Sequence, residues 1–149
     1  RTSDSGVTWN ESTTGFSGRD EGTGVRSITF SPSNPNIVYI GVTGRGAGLY
    51  RSASAGMDWE KLNDIGEISE IAIHPRNENI IYISAIHSGV HRSTDKGATW
   101  TSVSKGLPTT DVMRVRIAPG FPVRVFSVTL KHGAFRMVDE ELGEALFSW

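Results

Sequence analysis

Val25-Arg26-Ser27-Ile28-Thr29-Phe30-Ser31-Pro32 alternates apolar with polar side chains and stops at a proline. That is the pattern of a short, half-buried strand. Ser33-Asn34-Pro35-Asn36 is a turn by composition, and Ile37-Val38-Tyr39-Ile40-Gly41-Val42 is a β-branched second strand. A glycine-rich connection over 43–48 leads to a third strand, Leu49-Tyr50-Arg51-Ser52, and Trp59-Glu60-Lys61-Leu62 opens a fourth. The same order returns with strands at 68–75, 80–84, 89–92 and from Trp100. It returns again at 112–119, 123–129 and 133–136.

Prolines at equivalent points, Pro32, Pro75 and Pro119, are 43 and 44 residues apart. Repeats of about 40–50 residues with four strands each are the mark of a β-propeller, whereas a β-helix or leucine-rich solenoid repeats every ~20–30 residues or less with one strand per turn. The expectation is therefore all-β: a propeller segment with 1–24 as the end of one blade plus a loop, and blades at 25–67, 68–111 and 112–149. That is about three and a half blades, where propellers close with roughly four to eight. Two closures are open, by the remainder of a longer chain or by identical copies. The chain begins with Arg inside a repeat, which suggests an excerpt or a processed product. Its last segment departs from the repeat, with acids at 139–141 and a terminal Trp149 that calls for a cover.

One nine-residue phrase punctuates the repeats. Arg92-Ser93-Thr94-Asp95-Lys96-Gly97-Ala98-Thr99-Trp100 is matched by Arg1 to Trp9, with Asp4 and Gly6. It is matched again by Arg51 to Trp59, with Gly56 but with Ser54 in place of the acid. A fourth, worn copy begins at Arg136 and carries Asp139. Ser or Thr followed two residues later by Asp offers oxygens to the N–H groups of a turn, and Gly two residues on supplies the positive φ of the reversal. Asp4 and Asp95 are thus expected as turn acceptors, not as catalysts or metal ligands, and a Ser54 hydroxyl can still accept where a catalytic carboxylate could not be replaced. Trp9, Trp59 and Trp100 start the returning strands.

Composition narrows the partners. A chain of 149 residues with 37% hydrophobic side chains suffices for one globular unit. A net charge of −1 gives no basic stripe for nucleic acid or an anionic membrane, and no run approaches the ~20 apolar residues of a membrane span. With no cysteine there is no disulfide and no thiolate nucleophile. No cofactor and no metal is expected, since the histidines stand at blade-length spacings rather than as paired zinc ligands.

The phrase Ser/Thr-x-Asp-x-Gly-x-x-Trp resembles the Asp-box, or BNR repeat, of sialidase-like β-propellers. Ser31 to Tyr39 and Gly48-Leu49-Tyr50-Arg51-Ser52 look most like the bacterial BNR and xyloglucanase group. The resemblance implies a superfamily of sialidases, xyloglucan-cleaving glycosidases, sortilin-type sorting receptors and photosystem assembly factors, and it favours a secreted or periplasmic setting. The Arg-Ile-Pro phrase that announces a sialidase arginine is missing, and Tyr39, Tyr50 and Tyr82 repeat as core positions.

A two-carboxylate glycosidase would need opposed acids. The loops before each first strand carry them, as Asp20 or Glu21, Asp64 and Asp111. For recognition without turnover, Arg45, His87 and His132 fall in equivalent connections and suit a glycan or protein ligand, while His74 is expected at the surface. Arg51, Arg92 and Arg136 repeat with the turn phrase as structural residues, and Arg114 and Arg116 make one face of their strand polar. The expected function is a non-catalytic scaffold and binding module, with a polysaccharide-active hydrolase as the alternative.

Overall fold

A computed structural model of the chain describes residues 2, 4–15, 22–118 and 120–142. These form three antiparallel sheets. The first holds β1 (Gly24–Phe30), β2 (Val38–Thr43), β3 (Gly48–Ser52) and β4 (Glu60–Asn63) in that order. The second holds β5 (Ile68–Ile73), β6 (Ile81–Ala85), β7 (Gly89–Ser93) and β8 (Thr101–Ser102). The third has β9 (Val112–Ala118), β10 (Val123–Thr129) and β11 (Gly133–Asp139), with no fourth strand among the described residues. The expected start of that strand, near Trp149, lies outside them.

Each sheet is a blade of a β-propeller segment, and the strand period of two gives every blade two unlike faces. In β2 and β3, Tyr39 pairs with Arg51 and Gly41 with Leu49, and these point forward to the second blade. There they meet Ile68, Ile71, Ile81, Ile83 and Ala85 in one buried cluster. The second blade repeats the arrangement: Tyr82 pairs with Arg92 and Ser84 with Val90. Tyr82 and Val90 pack against Val112, Val115, Val123 and Val125 of the third. By the same register Phe126 pairs with Arg136 and Val128 with Ala134, so this third front is built from equivalent positions. Nothing among the described residues lies over it, and β10 alternates strictly between buried and exposed.

Close approach of the blades shows at Gly41. A Cβ there would stand 2.7 Å from Ile68 of the next blade, so only glycine lets the two sheets meet at that distance. Ser84 takes the same place in the second blade and Val128 in the third. A bulge at Ser69 turns its hydroxyl across the boundary, where it donates to the carbonyl of Val112 at 2.9 Å.

Three positions depart from the sequence expectation. Trp59 and Trp100 precede β4 and β8 rather than opening them, because the turn holds each ring half-buried beside the sheet. His74 is buried, not a surface residue: its Nδ1 accepts from the N–H of Arg76, and burial pushes its pKa down. The worn fourth phrase does not turn where its copies do. β11 runs on through Val138 to Asp139, paired against Arg124 and Val123.

Candidate functional site

Antiparallel connectivity puts the loops between second and third strands at the same end as the connectors between blades, and the nine-residue turns at the other. At the connector end, the residue just before each first strand reaches the loop of a neighbouring strand pair. Thr23 donates through its hydroxyl to the Arg45 carbonyl at 2.9 Å. Glu67 accepts from Gly44 N–H at 2.9 Å, and its own carbonyl takes Ile86 N–H. Asp111 meets His87, with Nδ1 to Oδ1 at 2.5 Å. The Asp111 carbonyl then takes Leu130 N–H of the third blade's loop.

Two residues flagged from sequence are thus brought together, and the others are not. His87 holds a φ of 62° in its tight turn, which presents an imidazole that is 82% exposed. Asp64 pairs instead with Lys61 at the far end of β4 and is 84% exposed. Arg45 and His132 are exposed in their own blades' loops, and Asp20 lies outside the described residues. Glu67 was missed by sequence reasoning. Its signal was its place immediately before the first strand, shared with Thr23 and Asp111, where Asp64 stands four residues away.

At the opposite end the turns share one hydrogen-bond pattern. The Ser93 hydroxyl oxygen accepts from Asp95 N–H and Gly97 N–H, and Asp95 accepts from Thr99 N–H at 2.8 Å and from its hydroxyl. Thr2, Asp4, Gly6 and Thr8 repeat these bonds. The hydroxyls of Thr2 and Thr8 hold the Asp4 carboxyl down to about 2, and Thr99 likewise lowers Asp95. In the middle copy Ser54 donates to Asp58 and accepts from its N–H, so the carboxylate has moved four residues along. Ser5, Ala55 and Lys96 carry positive φ before Gly6, Gly56 and Gly97.

Asp139 does other work. It is buried at 3% exposure and binds across the blade boundary, taking the Tyr82 hydroxyl at 2.5 Å and the Arg92 guanidinium at 2.6 Å. Arg92 also reaches Glu141. Burial, then the Asp139 carboxylate, pushes the Tyr82 hydroxyl well up and keeps it a donor. Along the inner strands Glu70 is held by Arg116 at 2.9 Å and Arg114 at 3.5 Å. Among the described residues no three His, Cys, Asp or Glu side chains come together as a metal site, and no helix is long and apolar enough to cross a membrane.

No family model matches the chain. It is similar to vacuolar protein sorting/targeting protein 10 of Colletotrichum graminicola, 31% identical over 81 residues covering 53% of this chain. It is also similar to xyloglucanase Xgh74A of Acetivibrio thermocellus, 33% identical over 105 residues covering 54% of this chain. The chain spans 5% of the first protein's length and 12% of the second's. Among solved structures, YCF48 from Cyanidioschyzon merolae superposes with a TM-score of 0.62 at 19% identity, covering 81% of this chain and 36% of that one. A structure of YCF48 bound to D1 peptide gives 0.57 at 17% identity, covering 80% and 38%. At these identities the structural likeness is one of fold, a part of a larger β-propeller.

Proposed function

We propose that the chain is a non-catalytic segment of an Asp-box propeller, a scaffold whose connector face recognises a protein or glycan and whose ring is completed by further blades. One observation carries this: the carboxylates at the connector end are engaged by neighbouring loops, Asp111 by His87 and Glu67 by the Gly44 N–H. Glycoside hydrolysis asks for the opposite, two carboxyls facing each other across a bond to be cut, about 6.5–9.5 Å apart for inversion. The described connector loops offer Arg45, Lys131, His87 and His132 but no Phe, Tyr or Trp. That favours a charged peptide over a stacked sugar. The blades are taken as 25–67, 68–111 and 112–149.

A second reading, a segment of a polysaccharide hydrolase, is favoured by the 33% identity to Xgh74A. The two part on one assay, release of reducing ends from xyloglucan. The scaffold reading expects none above buffer, and expects His87→Ala and Arg45→Ala to lower retention of acidic peptides on an array. Turnover of xyloglucan that Asp111→Asn or Glu67→Gln abolishes would replace it with the hydrolase.

A further inference from the structure

The two boundaries between blades are built from equivalent positions but are not equally filled. At the first, Leu49 and Leu62 of one blade meet Ile81 and Ile83 of the next in one buried cluster. At the second the same four places hold Val90, Val103, Val125 and Ser127, each shorter than its counterpart. All four line a cavity of about 240 Å³. Across the strand pair that forms the far wall, Ile81 faces Ser93 and Ile83 faces His91, whereas Val125 faces Met137 and Ser127 faces Phe135. Bulk has moved from the middle strand to the outer one, and two polar side chains have given way to a thioether and a phenyl ring. The lining is thus apolar on both blades, and the exposed Lys105 and Gly106 stand where it opens.

One polar group interrupts that lining. Ser127 is 6% exposed, and among the described residues nothing hydrogen-bonds to its hydroxyl. The buried serines Ser27, Ser52, Ser69, Ser84 and Ser93 all have partners. A buried hydroxyl without one is costly and uncommon, and this one borders a hollow in which a partner could sit.

We propose that the cavity between the second and third blades binds a small free phenol with a short alkyl chain, its ring against Phe135 and Met137 and its hydroxyl on Ser127. Size agrees, since an apolar cavity of about 150 Å³ takes benzene and the larger volume admits a ring with about three further carbons. Ring contact with Phe135 and sulfur contact from Met137 favour an aromatic body over a plain alkane. The Ser127 hydroxyl both donates and accepts, which suits a phenolic hydroxyl. The site is separate from the connector-face reading and shares no residue with it.

Isothermal titration of the whole chain with para-propylphenol and with propylbenzene tests this. The phenol should bind one to one and propylbenzene more weakly. Ser127→Ala should weaken the phenol about fivefold, the size of one neutral hydrogen bond, and should not weaken propylbenzene. Ser127→Ile, which restores the side chain of the first boundary, should weaken both by tenfold or more. Near-ultraviolet circular dichroism checks its fold, and if that is disturbed Val90→Leu takes its place. No heat and no rise in melting temperature with either compound at millimolar concentration overturns the proposal. So does phenol binding that the filling variant leaves unchanged, because the ligand then sits elsewhere. Equal loss of both compounds in Ser127→Ala removes the hydroxyl from its assigned partner and overturns the choice of a phenol. Binding of N-acetyltyrosinamide without binding of para-propylphenol overturns the free ligand in favour of a partner's tyrosine.

Discussion

Ser54 and Asp58 exchange the roles that Asp95 and Thr99 play in the complete turn: the hydroxyl comes first and the carboxylate four residues later. What the turn requires is a hydroxyl–carboxylate pair across its mouth, in either order. Asp58→Ala should therefore cost about 1 kcal/mol or less in urea unfolding, as the loss of one exposed charged hydrogen bond. Ser54→Asp with Asp58→Thr should restore the native midpoint. A double variant less stable than the single would show that order matters. Glu78 makes a different kind of contact, binding Lys96 of its own blade and Ser31 and Ser33 of the one before. Lys96, then the two hydroxyls, hold its carboxyl down to about 2 from 4.5. Because the folded value is depressed, the unfolded chain takes the proton first. The stabilisation is present above about 4.5 and is lost as pH falls toward 2. Glu78→Gln should lower stability at neutral pH, with the gap to the unaltered chain closing across that interval in a pH series of denaturant melts.

At the level of strands and turns, the boundary between the second and third blades is fastened by Tyr82, Arg92 and Asp139. A buried carboxylate with two donors tolerates losing one far better than losing its counter-charge. Tyr82→Phe should cost roughly 1.5–3 kcal/mol, the range for a hydrogen bond to a charged group. Arg92→Met should cost about 3–5 kcal/mol. If a thermal-melt series reverses that order, the Arg92 guanidinium is not the principal partner of Asp139 at this boundary. This clasp also marks what could be read in advance. The turns at Asp4 and Asp95 were legible because their partners lie within four residues. Asp139 and Glu67 were not: Asp139 takes partners 57 and 47 residues away, and Glu67 takes one 23 residues away. A repeat shows which positions correspond, but not that one of them has been redirected to the neighbouring sheet.

Taken whole, the chain is a graded stack. β6 is buried on both sides along its length, while β10 is buried on alternate residues only. Amides of β6 should exchange slowest in hydrogen–deuterium exchange, with β10 and β11 faster; equal protection would mean that something covers the third front in solution. The all-β plan of antiparallel sheets was readable from period and alternation, whereas the two strands expected before Gly24 do not form among the described residues. Burial of His74 was not readable, because the pattern says that a position is polar and not that a sheet will close over it.

The approach at Gly41 bears on how such a chain can change over evolutionary time. Glycine lies against Ile68, serine takes that place at the next boundary, where Val112 stands for Ile68, and Val128 fills it at the third. The repeats are alike in strand plan but keyed in size, each front cut for one successor. A recombination that moved the third blade ahead of the second would drive the Val128 methyls into Ile68, so a gene built by duplication has since lost the freedom to shuffle its own copies.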